Sequence, residues 1–297
     1  MRHKVVDIGG PVHFIDYGGE GDPLLMIHGL GGSALNWMDV GPGLAKHGHV
    51  VAIDLAGFGE TPLFNRSAAV GANADLVAKF IDKVFDGPVT LMGNSMGGHI
   101  SVLVAADHPE SVDRVVLVDP AVPGVHVRRP EPALIGMMAA LSVPGLAETV
   151  IDRRVRVLGP EGLVMRTLNV VCADPSRLSR EIVEAHVRLT RERDSLGNQN
   201  ARAFVQATRS IGLRMADPRF WLRAKKVKAP VLVIHGELDR VIPVASAREL
   251  VRRLPGWELR LLEGVGHVPM METPALFIKV LNDWTASRIA PASAAIP

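Results

Sequence analysis

The chain carries one cysteine in 297 residues. Cys172 alone cannot close an internal disulfide and has no thiol companions for a structural zinc site, so nothing demands an oxidising compartment. Charge of one sign is equally scarce. Lysine and arginine total 33 against 31 acidic residues, a formal +2, which gives little of the long-range attraction that nucleic-acid binding draws on. Nucleic acid is therefore not expected as a partner. Long apolar runs are missing too: the greasiest stretch, 133–151, is broken by Ser142, Pro144, Gly145, Glu148 and Thr149. It falls short of the roughly 18 uninterrupted apolar residues of a membrane span, so no transmembrane segment is expected. Met1 to Asp7 lack the apolar run of a secretory leader, and the expected location is cytoplasmic.

What is present reads as a globular chain. Hydrophobic residues make up 47% and charged residues 22%, values that exclude disordered or collagen-like classes. Short apolar runs rich in branched residues, each closing on a turn signal, recur at 24–28, 50–55, 89–93, 115–119, 231–235 and 259–262. Helical spacing occupies 75–85, 100–106, 245–254 and 274–284 between them. Strands that alternate with helices imply a mostly parallel sheet with helices on both faces. Residues 12–17 alternate like a half-exposed edge strand paired with 4–8.

The alternation stops at 121–225, where helical patterns and prolines replace strands. That insertion holds 17 basic and 10 acidic residues, a net +7, which leaves −5 for the rest of the chain. It reads either as a solvated surface or as a lid whose arginines attract anions. The expected organisation is a core of 1–120 and 226–289, an inserted helical cap of 121–225, and a frayed tail of 290–297.

Three strand ends carry candidate chemistry. Gly93-Asn94-Ser95-Met96-Gly97-Gly98 lies between an apolar strand and a helical segment, where Gly-x-Ser-x-Gly forms a strained turn that exposes a nucleophilic serine. A serine hydroxyl needs a base within reach and an acid to orient that base. Gly236-Glu237-Leu238-Asp239 supplies a carboxylate after one late strand, and Gly264-Val265-Gly266-His267-Val268-Pro269 supplies an imidazole after the next. In a parallel sheet those ends share one rim. Asp119, at the end of another strand, is the alternative acid. His28, His99 and His235 read as structural groups, and Asp54 as a residue that fixes its own loop.

The order Ser95, Asp239, His267 resembles the α/β-hydrolase superfamily. His28-Gly29-Leu30-Gly31-Gly32 is similar to that family's oxyanion loop, and Asp54-Leu55-Ala56-Gly57-Phe58-Gly59-Glu60-Thr61 to its loop after the fourth strand. The resemblance implies an α/β-hydrolase fold with an eight-stranded sheet, a serine esterase or lipase-like activity, and an oxyanion hole built from the backbone N–H groups of Leu30 and Met96. It implies no cofactor and no metal. The expected partners are a small ester substrate and water, with the oligomeric state left open.

Serine at the elbow departs from relatives that use aspartate there, and a single tyrosine, Tyr17, leaves no cap tyrosine to activate an epoxide. The elbow also resembles carbon–carbon hydrolases of aromatic catabolism, but those have tryptophan after the histidine where this chain has Val268. Arg188 or Arg191 would bind the carboxylate of such a substrate. A slow small-molecule receptor is a third reading. The expected pocket is apolar, lined by Leu134, Met137, Met138, Leu141 and Val268.

Overall fold

The computed structural model describes residues 1–123, 146–194 and 199–289. In chain order its elements are β1 (Arg2–Asp7), β2 (Pro11–Gly18), β3 (Leu24–Ile27), α1 (Gly41–Leu44), β4 (Val50–Ile53), α2 (Val70–Val84), β5 (Val89–Asn94), α3 (Met96–Asp107) and β6 (Val112–Val118). They continue with α4 (Leu146–Val171), α5 (Arg180–Asp194), α6 (Gln199–Met215), α7 (Arg219–Ala224), β7 (Val231–Gly236), α8 (Val244–Arg253), β8 (Glu258–Leu262), α9 (Pro269–Glu272) and α10 (Pro274–Ile289). Eight strands form one sheet in the order β1-β2-β4-β3-β5-β6-β7-β8. The β1–β2 and β2–β4 pairs are antiparallel and the remaining pairs parallel. Between β6 and β7 the described residues form helices and connecting turns, and α4 is broken at Gly159-Pro160.

Continuous apolar runs make strands here because both faces of the sheet are covered. Leu25, Ile27, Val51, Ile53, Leu91, Val115, Leu117 and Val233 face a cluster with Phe80, Ile100 and Leu250. Their neighbours in sequence, Met26, Ala52, Met92, Val116, Val118 and Ile234, face a second cluster with Trp37, Phe277 and Trp284. Side chains of period two thus divide each run between two cores.

Two expectations are corrected. The segment 12–17 is not an edge strand: β2 lies between β1 and β4 and is buried from Val12 to Tyr17, while β1 forms the edge. Its polar alternation misleads because His13 and Asp16 are buried in partnerships, His13 with Asp54 and Asp16 with Lys4. The helix expected from 75 starts at Val70. Its N-cap, Ala69, offers no side-chain hydrogen bond, so the usual start signal is absent.

The helix that follows β5 packs extremely close to β3. A Cβ placed on Gly97 would sit 2.3 Å from Ile27 O and 2.6 Å from His28 O, and backbone cannot yield as a flexible side chain would. Gly97→Ala is expected to cost about 2–3 kcal/mol and to lower the thermal midpoint by several degrees, read by far-UV circular dichroism. An unchanged midpoint would mean that α3 and β3 separate easily.

Candidate active site

The carboxyl ends of β5, β6, β7 and β8 lie on one rim because these strands are parallel neighbours. Ser95 occupies the sharp turn from β5 into α3 with φ 54° and ψ −115°. A non-glycine residue holds such a conformation only when its surroundings over-determine it. The Ser95 N–H donates to Val118 O at 2.9 Å, and its carbonyl accepts from the N–H groups of His99 and Ala121. The hydroxyl does not cap the helix. Met96 opens α3, where backbone N–H groups have no intrahelical acceptor. The Gly29–Gly32 turn runs beside the serine: a Cβ on Gly29 would lie 3.0 Å from Ser95 Cβ. This turn carries Leu30.

After β7, Asp239 Oδ1 accepts the N–H groups of Val241 (2.7 Å) and Ile242 (2.9 Å). Its Oδ2 lies 2.7 Å from His267 Nδ1. Burial works against charge on Asp239, but the hydrogen bond and positive field of His267 and the Ile242 N–H outweigh it, holding the carboxyl below its ordinary range. Such a pairing fixes the imidazole so that Nε2 is the free nitrogen. No hydrogen bond joins His267 to Ser95 Oγ among the described residues, a contact that commonly tightens only when substrate is bound.

The alternative acid behaves differently. Asp119 is fully buried at φ 45°, accepts the Gly236 N–H at 2.9 Å through Oδ1, and leaves Oδ2 without a partner among the described residues. Burial, and then the charge of Asp239, push its carboxyl well above the usual carboxylate range. The negative charge therefore resides on Asp239 and the proton on Asp119. Among the histidines, His28 bridges Gly29 O and the Leu55 N–H, and His99 Nδ1 bonds Ala121 O. His235 Nε2 donates to Ile242 O, while its Nδ1 has no partner among the described residues.

Several supports carry no motif in the sequence. Asn94 Nδ2 donates to His267 O (3.0 Å) and Val118 O (3.2 Å), tying the elbow to the histidine loop. The His267 N–H donates to Val171 O at 2.7 Å. Buried Glu272 accepts the N–H groups of Gly266, Ala173 and Asp174. The loop holding His267 and the end of α4 are thus one fastened unit. Of the expected pocket, Val268 is buried among Trp37 and Phe277. Leu134, Met137, Met138 and Leu141 lie outside the described residues. Arg188 and Arg191 are exposed, and Arg191 pairs with Glu161.

The two carboxyl groups give separable predictions. Folded Asp119 keeps its proton where the unfolded chain has lost it, so folding takes up a proton and stability falls as pH rises above about 4, until Asp119 itself ionises. Asp119→Asn should flatten that decline in urea midpoints followed upward from about pH 4 and leave turnover within about threefold. Asp239→Asn should lower turnover by about three to four orders of magnitude. The reverse ranking would move the charge to Asp119.

Comparison with known proteins identifies the family. A family model described as alpha/beta hydrolase fold matches residues 22–274. The 2-hydroxy-6-oxo-6-(2'-aminophenyl)hexa-2,4-dienoic acid hydrolase of Metapseudomonas resinovorans is 27% identical over 289 residues, covering 96% of this chain and 91% of its own. A membrane phospholipase A described as a bacterial virulence factor is similar at 29% identity with a TM-score of 0.75, over 97% of this chain and 87% of that one. A thermophilic esterase from Thermogutta terrifontis shares the fold at 22% identity, with a TM-score of 0.73 over 97% and 99% of the two chains. The chain belongs to the α/β-hydrolase fold family and is a hydrolase of that family.

Proposed function

We propose that this hydrolase cleaves carboxylic esters of small to medium apolar substrates through an acyl-enzyme on Ser95. The observation that carries the reading is the 2.7 Å pair of Asp239 and His267 on the same rim as the strained serine. His267 Nε2 takes the Ser95 proton as Oγ attacks the ester carbonyl. The N–H groups of Leu30 and Met96 hold the oxyanion, each contributing about 3–4 kcal/mol at the transition state. His267 then gives its proton to the leaving alcohol. Water, deprotonated by the same imidazole, releases the acid and restores Ser95. Asp239 holds the imidazole tautomer and balances its transient charge.

The segment 121–225 acts as the cap over this site. Its helices dock on the loops of the core: Arg193 donates to Gly57 O and Gly59 O, His186 Nε2 pairs with Asn36, and Ser210 accepts the Val70 N–H.

Carbon–carbon cleavage of a dienoic keto acid is the second reading, favoured by the name of the Metapseudomonas resinovorans relative. It needs a cation for the substrate carboxylate. Both arginines expected to serve are exposed, and Arg191 is engaged by Glu161, which supports the ester.

A panel of p-nitrophenyl esters beside one ring-cleavage dienoate ranks the readings. Ester turnover should dominate; faster dienoate cleavage would transfer the assignment, and tight binding with negligible turnover of both would make the protein a receptor. Ser95→Ala should lower the favoured rate by about four to six orders of magnitude with an unchanged far-UV spectrum. A tenth of the parent rate in that variant would discard Ser95 as the nucleophile.

A further inference from the structure

Away from the serine, three nitrogen and oxygen donors converge from separate segments. His3 on β1, His13 on β2 and Glu60 on the loop after β4 bring Nδ1, Nε2 and Oε1 together. The separations are 3.0 Å between the two imidazole nitrogens, 3.2 Å from His3 Nδ1 to Glu60 Oε1, and 3.5 Å from His13 Nε2 to the same oxygen. Ligand atoms bound at about 2.0–2.1 Å to one tetrahedral ion stand about 3.3 Å apart. The three edges match one face of that tetrahedron.

The tautomer of His13 is fixed from behind. Its Nδ1 lies 2.6 Å from Asp54 Oδ2, and Asp54 is itself held by the N–H groups of Ala34 (2.6 Å) and Glu60 (2.8 Å). With Nδ1 donating to that carboxylate, His13 Nε2 presents a lone pair to the other two donors. A carboxylate behind a metal-binding imidazole is the usual outer shell of a zinc site. It also anchors the backbone of Glu60, whose side chain supplies the third ligand.

With both imidazoles neutral, protons leave this cluster under-served. One N–H on His3 Nδ1 would have to satisfy both His13 Nε2 and Glu60 Oε1, with nothing between the latter two lone-pair atoms. A divalent cation satisfies all three. His13 is buried, whereas the side chains of His3 and Glu60 are 44% and 47% exposed, so the fourth position faces solvent. The other convergent group, Asp119, His235 and Asp239, differs: it is wholly buried, and His235 Nε2 already donates to Ile242 O.

We propose that His3, His13 and Glu60 bind one divalent transition-metal ion, zinc by the match of two imidazoles, one carboxylate and tetrahedral spacing. The ion staples the β1–β2 hairpin to the loop after β4. Because Asp54 also holds the Ala34 N–H, the staple braces the segment that follows the Leu30 turn. The site is independent of the ester assignment.

Isothermal titration of untagged, EDTA-treated protein with zinc chloride tests it, with magnesium chloride as the control. One equivalent should bind with micromolar or tighter affinity, and a hundredfold excess over Kd should raise the thermal midpoint by about 3–5 °C. His3→Ala and Glu60→Gln, both at exposed side chains, should each weaken binding at least tenfold while the metal-free midpoint stays within about a degree. No zinc binding, equal binding of magnesium, or zinc affinity unchanged in both variants would overturn the site; the last outcome would place the metal on other histidines.

Discussion

Two loops whose anchoring residues lie 28 positions apart bring an imidazole and a carboxylate together in the hydrogen bond from His267 to Asp239, and the Leu238 N–H bond to Val265 O holds the loops side by side. Removing a carboxylate from water costs several kcal/mol unless donors replace that water. Here the Val241 and Ile242 N–H groups occupy one oxygen and the imidazole the other. The adjacency of β6, β7 and β8 that permits this also brings Asp119 close. Two charges cannot share so dry a space. Asp119 resolves the conflict by remaining protonated, which makes the pair asymmetric: one acid carries charge and the other stays neutral while accepting the Gly236 N–H.

That hydrogen bond is useful only if the imidazole stays near the elbow, and the surrounding contacts are arranged to keep it there. Asn94 occupies the variable position of the serine motif, yet its carboxamide grips the His267 carbonyl. Glu272 gathers N–H groups from both the histidine loop and the residues after α4. Each such bond contributes only about 1 kcal/mol, but stranding a buried donor costs more. The strained turn at Ser95 is sustained by the same network through the Val118 carbonyl, which accepts from both Ser95 N and Asn94 Nδ2.

The sheet and the three strand-end motifs were legible because their physics is local. Strands covered on both faces read as apolar runs, and a turn as sharp as the one at Ser95 admits few residue types beside it. The position of β2 was not legible, since His13 and Asp16 look like a solvent face until their partners, 41 residues away for His13 and 12 for Asp16, come into contact. Glu272 and Asn94 were missed for the same reason. No spacing rule links Glu272 to Ala173 across 99 positions. A cysteine count says nothing of histidine and carboxylate ligands, and His3 and Glu60 stand 57 residues apart with no spacing to link them.

The positive charge of the inserted segment changes meaning once its partners are known. Seventeen basic residues between 121 and 225 suggest attraction of anions, but several of them have structural work. Arg177 reaches Gly264 O and Glu272, Arg191 pairs with Glu161, and Arg223 with Asp107. Arg193 turns inward to the carbonyls of Gly57 and Gly59, and burial lowers its guanidinium pKa. A cation committed to backbone carbonyls fastens helices to a core; it does not steer a charged ligand. Arg177, Arg191, Arg193 and Arg223 are thus committed to carbonyls and carboxylates of the fold itself, so the net charge of the insert overstates the cations left for a ligand.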